Sequence, residues 1–201
     1  MAKGNGGESI VHDDVDRRAF VARLDQAVVQ HRWACLACCL LDNHFHLLIR
    51  TPEPNLGVGM RWLKSAYAQD VNHRHKRTGH VFGGRFYSMR LKNDDHLLAA
   101  LIYVLLNPVR AGVARLPHEW LWSSYSATVG IVVPPRFLHV AAALELFGDE
   151  PAEAQRRLAA AVAESLARDA AAALAGSDPW GQTPAVRPVG SGSALKLRRD
   201  P

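Results

Sequence analysis

Two histidines, His44 and His46, stand one residue apart within an apolar part of the chain. Residues 33–49 are mostly apolar and contain no glycine or proline, which predicts one buried strand. Successive side chains of a strand point to opposite faces, so both histidines would share a face and Phe45 would lie on the other. Two imidazoles on one rigid strand can bind the same metal ion. The pair alone is a weak signal, because histidines in strands usually form only hydrogen bonds.

Three cysteines, Cys35, Cys38 and Cys39, fall on the same predicted strand. Strand geometry would direct Cys35 and Cys38 to opposite faces, which makes the apparent C-x-x-C a poor metal or redox site. We therefore expect buried, reduced thiols.

The composition is typical of one globular domain with an appendage, since 48% of the 201 residues are hydrophobic and 21% are charged. No stretch approaches the roughly 20 apolar residues needed to span a membrane. The first residues also lack the apolar segment of a signal peptide. We expect a cytoplasmic protein.

Positive charge is concentrated in one stretch of the chain. Residues 61–92 contain eight basic residues and one acidic residue, Asp70, so they carry a charge of +7. The rest of the chain carries −2, which gives the net charge of +5. A solvated face would mix both signs, so this stretch predicts a phosphate-binding surface. Phe82 and Phe86 lie among the cations, a mixture that can stack on bases, although each could equally be a core residue.

Apolar spacing and capping residues predict three helices before residue 130. The first begins at Asp13 or Asp14 and ends near residue 31, and the second covers residues 56–75. Between them and the third helix, residues 81–91 predict a loop leading into a strand. Asn93 or Asp94 caps the third helix, which should end near residue 107.

The third helix carries Tyr103 and Asn107, which lie on one side because they are four residues apart. The helix should end there because Pro108 disfavours helical geometry in the residue before it. After residue 130 two stretches rich in alanine and leucine, residues 137–147 and 152–175, predict a helical appendage. Residues 176–201 are rich in glycine, proline and serine and predict a disordered tail.

Four segments in order resemble the single-tyrosine HUH transposases, in particular the REP-associated tyrosine transposases. The segments read LDNHFHLL at residues 41–48, GHVFGGRF at 79–86, YVLLNPVRAG at 103–112 and WLWSSY at 120–125. The resemblance covers about residues 3–130 and implies a catalytic domain over residues 1–130. The remaining parts would be a helical appendage at residues 131–175 and a disordered tail at residues 176–201.

The resemblance implies an α+β fold, a ferredoxin-like antiparallel sheet with helices on one face, plus the C-terminal helical appendage. The histidine pair would lie on a central strand, and the tyrosine helix would cross the open face. His44, His46 and Asn107 would bind Mg²⁺ or Mn²⁺, and Tyr103 would be the nucleophile. Its attack on DNA would leave a free 3′-hydroxyl and a 5′-phosphotyrosine, the chemistry of a DNA nicking and strand-transfer enzyme.

The implied partner is single-stranded DNA with a hairpin, bound by a monomer or a homodimer. The residues that we expect to contact this DNA are Arg61, Lys64, Arg74, Lys76, Arg77, Arg85, Phe86 and Arg90. Family members usually have a further strand before the position of Gly4-Asn5, and this chain begins almost on top of it. We expect its absence to expose a sheet edge, either because the true start lies upstream or because the copy is decayed.

Two other functions fit the same residues. A non-catalytic DNA-binding protein descended from a transposase would need the basic stretch but neither metal nor Tyr103. A nuclease that uses water as the nucleophile would form no covalent adduct. Among the rival nucleophiles Tyr67, Tyr87 and Tyr125, none has an asparagine one helical turn later, which favours Tyr103.

Overall fold

The computed structural model describes residues 1–175, so the predicted tail at residues 176–201 lies outside the described part. The elements in chain order are β1 (Ala2–Lys3), α1 (Asp14–His31), β2 (Ala34–Leu40), β3 (His44–Arg50), α2 (Leu56–Arg74), α3 (Asp94–Arg110), α4 (Tyr125–Thr128), α5 (Val140–Leu144) and α6 (Pro151–Leu174). Short 3₁₀ turns occupy Asn5–Gly7, Pro117–Glu119 and Glu145–Phe147. None of the helices in residues 1–175 is long and apolar enough to cross a membrane.

The stretch predicted as one strand is a β-hairpin, so that prediction was wrong. β2 and β3 pair antiparallel, and the chain reverses at Leu41, Asp42 and Asn43. The carbonyl of Asp42 accepts backbone N–H groups of Ile10 and Val11 at 2.7 and 3.0 Å. The turn is thus stabilised by a distant segment. Asp42 and Asn43 are typical turn residues, so the sequence did contain a local signal for this reversal.

A β-bulge at Leu36 changes which faces the cysteines occupy. Cys35 pairs with Ile49 and Ala37 pairs with Leu48, which leaves one extra residue in β2. Cys35 and Cys38 therefore point to the same face, where both pack in the core with Phe45, so the prediction of opposite faces was wrong. The three thiols are free, and Cys35 and Cys39 are buried.

The sheet has the order β1-β3-β2, which makes the histidine strand central as expected. α1 and α2 cover one face around a core that includes Phe20, Phe45 and Tyr67. The fold class is confirmed: a mixed helix and strand structure with an antiparallel sheet. α3, α5 and α6 cover part of the other face, where Leu105 of α3 and Leu158 of α6 share one core. The domain boundary at residue 130 stays a prediction, but the C-terminal helices pack directly on α3.

Both edges of the sheet have neighbours. β1 is only two residues long, yet it pairs with β3, and its outer edge bonds the segment 81–87 through Gly83 N–H to Lys3 O at 3.0 Å and Tyr87 N–H to Met1 O at 2.9 Å. The pairing with β3 is limited to Ala2 opposite Phe45 and Lys3 opposite His44, so the expected exposure of this edge stays a prediction for the rest of β3. The strand predicted within residues 81–91 is reduced to an isolated bridge from Gly4 to Phe82, because Gly84 adopts a φ of 88° and interrupts the extended run.

The predicted limits of α1 are confirmed, since Asp13 caps it by accepting the backbone N–H groups of Val15 and Asp16. The predicted end of α3 was wrong, because the helix continues through Pro108 to Arg110. Pro108 lacks the N–H that would bond to the carbonyl of Val104, so the helix loses this one bond and still continues to Arg110. The extra turn places Arg110 on the same side of α3 as Tyr103.

Gly59 of α2 lies against the buried indole of Trp33. A Cβ at residue 59 would approach ring carbons of Trp33 to 2.1 and 2.5 Å, closer than such atoms can pack. Gly59→Ala is therefore expected to lower the free energy of unfolding by about 1–3 kcal/mol, the usual cost of overpacking a core. Chemical denaturation measures this change.

The matched control is Gly57→Ala on the same helix, where a new Cβ meets nothing within 4 Å. This substitution is expected to leave stability unchanged or to raise it by up to about 1 kcal/mol through helix propensity. Equal effects at both positions would show that the contact between α2 and Trp33 does not set the packing.

Candidate active site

The structure brings all four predicted site residues together between β3 and α3. The ring centroids of His44 and His46 are 5.0 Å apart, and the Tyr103 ring is 5.3 Å from that of His46. The side chain of Asn107 lies close enough to His44 to raise its pKa. The two histidines share one face of β3, as the alternation along a strand requires.

One stripe of α3 faces the histidines. Tyr103, Asn107 and Arg110 are spaced i, i+4 and i+7, so they occupy successive turns of the same side. Asn107 is buried and Tyr103 is half-buried. The guanidinium carbon of Arg110 lies 5.4 Å from the centroid of the Tyr103 ring, a distance typical of a cation–π contact.

Burial controls the charge of the histidine pair. Burial, followed by repulsion from His44, lowers the pKa of His46 to about 3. Burial also lowers the pKa of His44, and the charge of Lys3 acts in the same direction, whereas the nearby side chain of Asn107 raises it. Both imidazoles are therefore neutral near pH 7, and neutral imidazole is the form that binds a metal ion.

The donor set fits a divalent cation. Two neutral imidazoles and a buried amide converge from β3 and α3. Imidazole suits transition ions such as Mn²⁺, while an amide oxygen also suits Mg²⁺. His44, His46 and Asn107 could hold either ion.

Asn43 is an orienting residue that the sequence did not reveal. Its Oδ1 atom lies 2.6 Å from Nδ1 of His44. An amide oxygen can only accept, so Nδ1 carries the proton and the lone pair of this imidazole is on Nε2. Treating residues 33–49 as one strand placed Asn43 on the opposite face, whereas in the hairpin it is the last residue of the turn. Its position directly before the first histidine was the available signal.

Lys3 is a second residue that the sequence did not reveal. It lies directly opposite His44 in the β1–β3 ladder, and directly opposite residues of an antiparallel pair share a face. Its ammonium group is close enough to lower the pKa of His44. A strand of two residues gives no periodic signal, so only the pairing shows that Lys3 borders the site.

The predicted DNA-contacting residues fall into two groups. Four are exposed cations, namely Arg61, Lys76, Arg85 and Arg90. The other four have partners within the protein, as follows. Arg74 binds Asp13 and Asp16, Arg77 lies 3.4 Å from Glu8, Lys64 binds the carbonyl of Gly84, and Phe86 packs against the first core.

A separate cluster of His12, Asp16 and His75 joins the start of α1 to the end of α2. Their potential ligand atoms lie within 4.8 Å of one another. By this distance alone, the three side chains could hold a metal ion. Asp16 is buried and already accepts hydrogen bonds from Arg74 at 2.6 Å and His75 at 2.9 Å. Arg77 lies 3.1 Å from His12. Two guanidinium groups thus occupy the space beside these ligands, and the cluster ties α1 to α2.

Two known proteins are similar to this chain, one in sequence and one in fold. No protein-family model matches the sequence. A Haemophilus influenzae protein whose curated name assigns it provisionally to the REP-associated tyrosine transposases is 24% identical over 127 residues, which cover 58% of this chain and 72% of the relative. A solved structure of a REP-associated tyrosine transposase bound to a REP hairpin superposes with a TM-score of 0.54. The match covers 67% of this chain and 84% of that chain at 14% identity.

The resemblance to the REP-associated tyrosine transposases is confirmed. The structural match shows a fold shared with the solved transposase, in agreement with the expected fold class. The roles of the individual side chains stay predictions that rest on the geometry of this chain.

Removing the amide of Asn43 tests the histidine pair as a metal site. Asn43→Ala is expected to lower the affinity for Mn²⁺ by about 10- to 100-fold, the usual effect of losing a group that orients a ligand. Calorimetric titration with Mn²⁺ measures this change.

Asn72→Ala is the matched control. Asn72 lies on α2, and its side-chain amide donates a hydrogen bond to the carbonyl of Gly79 at 3.0 Å. The Mn²⁺ affinity of this variant should equal that of the wild type. An unchanged affinity in Asn43→Ala would contradict the assignment of His44 as an oriented ligand.

Proposed function

We propose that the chain is a metal-dependent tyrosine transposase that cleaves and rejoins single-stranded DNA beside a hairpin. The observation that carries the proposal is the position of the Tyr103 ring, 5.3 Å from that of His46, with Asn107 close to His44 one turn along the same helix. A nucleophile and three potential metal ligands thus meet at one point. The solved structure with the shared fold is bound to a REP hairpin, which supports hairpin DNA as the substrate class.

His44, His46 and Asn107 would hold Mg²⁺ or Mn²⁺. When bound there, the ion would polarise the scissile phosphate and offset the charge that develops during its displacement. The low pKa of His46 keeps its imidazole available as a ligand over the whole neutral range. Asn43 fixes the tautomer of His44 so that Nε2 is free to bind.

Tyr103 would supply the nucleophile. Its phenolic oxygen forms a bond to phosphorus, the bond from phosphorus to the 3′-oxygen breaks, and the phenolic proton is lost while the departing 3′-oxygen gains one. The phosphotyrosine ester keeps the energy of the broken bond, so a 3′-hydroxyl can reverse the reaction without ATP. The half-buried ring can reach a phosphate at the surface while its contacts with His46 and Arg110 limit its movement.

Exposed cations would hold the DNA backbone. Lys3 lies opposite His44 in the β1–β3 ladder and would contact the phosphate that reacts. The exposed residues Arg61, Arg85 and Arg90 are available to neutralise flanking phosphates, which bind DNA without reading its sequence.

The first test is a denaturing gel that detects a covalent protein–DNA adduct on hairpin-bearing single-stranded oligonucleotides. Wild type is expected to form the adduct with Mn²⁺ or Mg²⁺ and to lose it with a chelator. Tyr103→Phe should form none, because it lacks the attacking oxygen. Tyr125→Phe is the matched control and should retain the adduct.

The other outcomes distinguish the alternatives. Cleavage without an adduct would identify a nuclease that uses water. Hairpin binding without cleavage or adduct would identify a non-catalytic DNA-binding protein. Loss of the adduct in Tyr125→Phe and its retention in Tyr103→Phe would show that another tyrosine is the nucleophile.

The salt dependence of hairpin binding tests which basic residues contact DNA and which ones stabilise the fold. Arg85→Ala and Arg90→Ala are each expected to reduce the slope of log affinity against log salt concentration by about 0.7–0.9, the effect of one lost phosphate contact. Arg74→Ala is expected to lower the unfolding temperature and to leave the slope unchanged, since Arg74 partners the buried Asp16. A slope that is reduced in Arg74→Ala and unchanged in Arg85→Ala and Arg90→Ala would contradict this assignment.

A further inference from the structure

Arg110 connects the candidate nucleophile to the last helix of the described chain. One side of its guanidinium faces the ring of Tyr103, with 5.4 Å from the guanidinium carbon to the ring centroid. On the other side its Nε donates to Oδ2 of Asp169 on α6 at 2.8 Å, and Nη2 lies 3.4 Å from Oγ of Ser165. The Arg110 side chain is only 9% exposed.

The burial of this cation makes its carboxylate partner important. Removing one partner of a buried ion pair leaves the other charge in a poorly solvated place, so the remaining side chain tends to move towards water. If Asp169 lost its charge, the guanidinium of Arg110 would lose its carboxylate partner, and its position on the Tyr103 ring would be less fixed. The planar guanidinium can pair with a carboxylate along its edge and pack on a ring with its face, which lysine cannot do.

We propose that α6 completes the candidate active site, because Asp169 holds Arg110 against the ring of Tyr103. Asp169 and Arg110 are then positioning residues that limit the directions in which the phenol can point. The proposal rests on the proposed function of Tyr103 as the nucleophile. Under this proposal α6 contributes to the reaction rate. A contact between α3 and α6 that served only as a brace would stabilise the fold and leave that rate unchanged.

The experiment compares single-turnover adduct formation at saturating hairpin DNA, hairpin affinity and unfolding temperature in four variants. Asp169→Asn is expected to slow adduct formation by about 10- to 100-fold, the cost of a nucleophile displaced by about 1 Å. Its hairpin affinity should stay within about twofold of wild type, since DNA contacts are unchanged. Asp169→Glu keeps the carboxylate and should recover most of the rate.

Glu164→Gln is the matched control on α6, because it removes an exposed carboxylate that pairs with Arg168 at 3.8 Å. Its rate of adduct formation should equal that of the wild type. Arg110→Lys keeps the positive charge but lacks the planar face, so it should slow the reaction while the protein stays folded. A rate in Asp169→Asn and Arg110→Lys that equals the wild-type rate would overturn the proposal.

A second readout needs no DNA. With ¹³C-labelled tyrosine the four tyrosines give ring signals, and Tyr103→Phe identifies one of them. Asp169→Asn should shift the Tyr103 signal, and Glu164→Gln should not. An unmoved Tyr103 signal would overturn the contribution of α6 even in an active enzyme. A wild type that forms no adduct, although Asp169→Asn shifts the ring signal, would refute Tyr103 as the nucleophile and the positioning role with it.

Discussion

Phe45 is completely buried, and its burial decides the direction of both histidines. The Phe45 ring packs 4.7 Å from the Phe20 ring of α1 and 5.9 Å from that of Phe82. Side chains alternate along a strand, so a phenylalanine fixed in the core under α1 and α2 directs His44 and His46 to the opposite face, towards α3. A register shift of one residue would expose Phe45 and bury both imidazoles on the wrong side. β3 contributes to both the hydrophobic core and the site, so the packing of Phe45 in the core determines which face carries the two histidines.

The second face of the sheet is where the site is enclosed. α3 presents Tyr103, Asn107 and Arg110 on successive turns, and α6 packs behind them in the core that contains Leu105 and Leu158. This enclosure removes water from the imidazoles, which is the main cause of the low pKa of His46. Buried polar groups need partners, and the carboxylate of Asp169 accepts a hydrogen bond from Nε of Arg110. The same burial that stabilises the helices thus brings the polar side chains into fixed positions.

Helices were predictable from local signals, and the contacts between elements were not. The limits of α1 followed from Asp13 and an apolar period, whereas the β2–β3 turn depends on bonds from Ile10 and Val11 that no local pattern shows. The spacing of His44 and His46, and that of Tyr103 and Asn107, predicted each pair on one face. Their meeting required the family resemblance, because it depends on how α3 crosses the sheet. Asn43, Lys3 and Asp169 were missed for the same reason, since a turn, a two-residue strand and a helix–helix contact position them.

The charge of the basic stretch shows why a count of residues overstates a binding surface. Residues 61–92 carry +7 in the sequence, yet the fold commits Arg74 to Asp13 and Asp16 and brings Arg77 to Glu8. These two cations neutralise acidic side chains at the start of the chain, which lie far away in sequence and close in space. What is left for a polyanion is the exposed set around Arg61, Arg85 and Arg90 together with Lys3, which the charge count had not included because it lies outside the stretch. A surface that binds DNA is therefore defined by which cations the fold leaves without acidic neighbours, and the sequence contains that information only through its tertiary contacts.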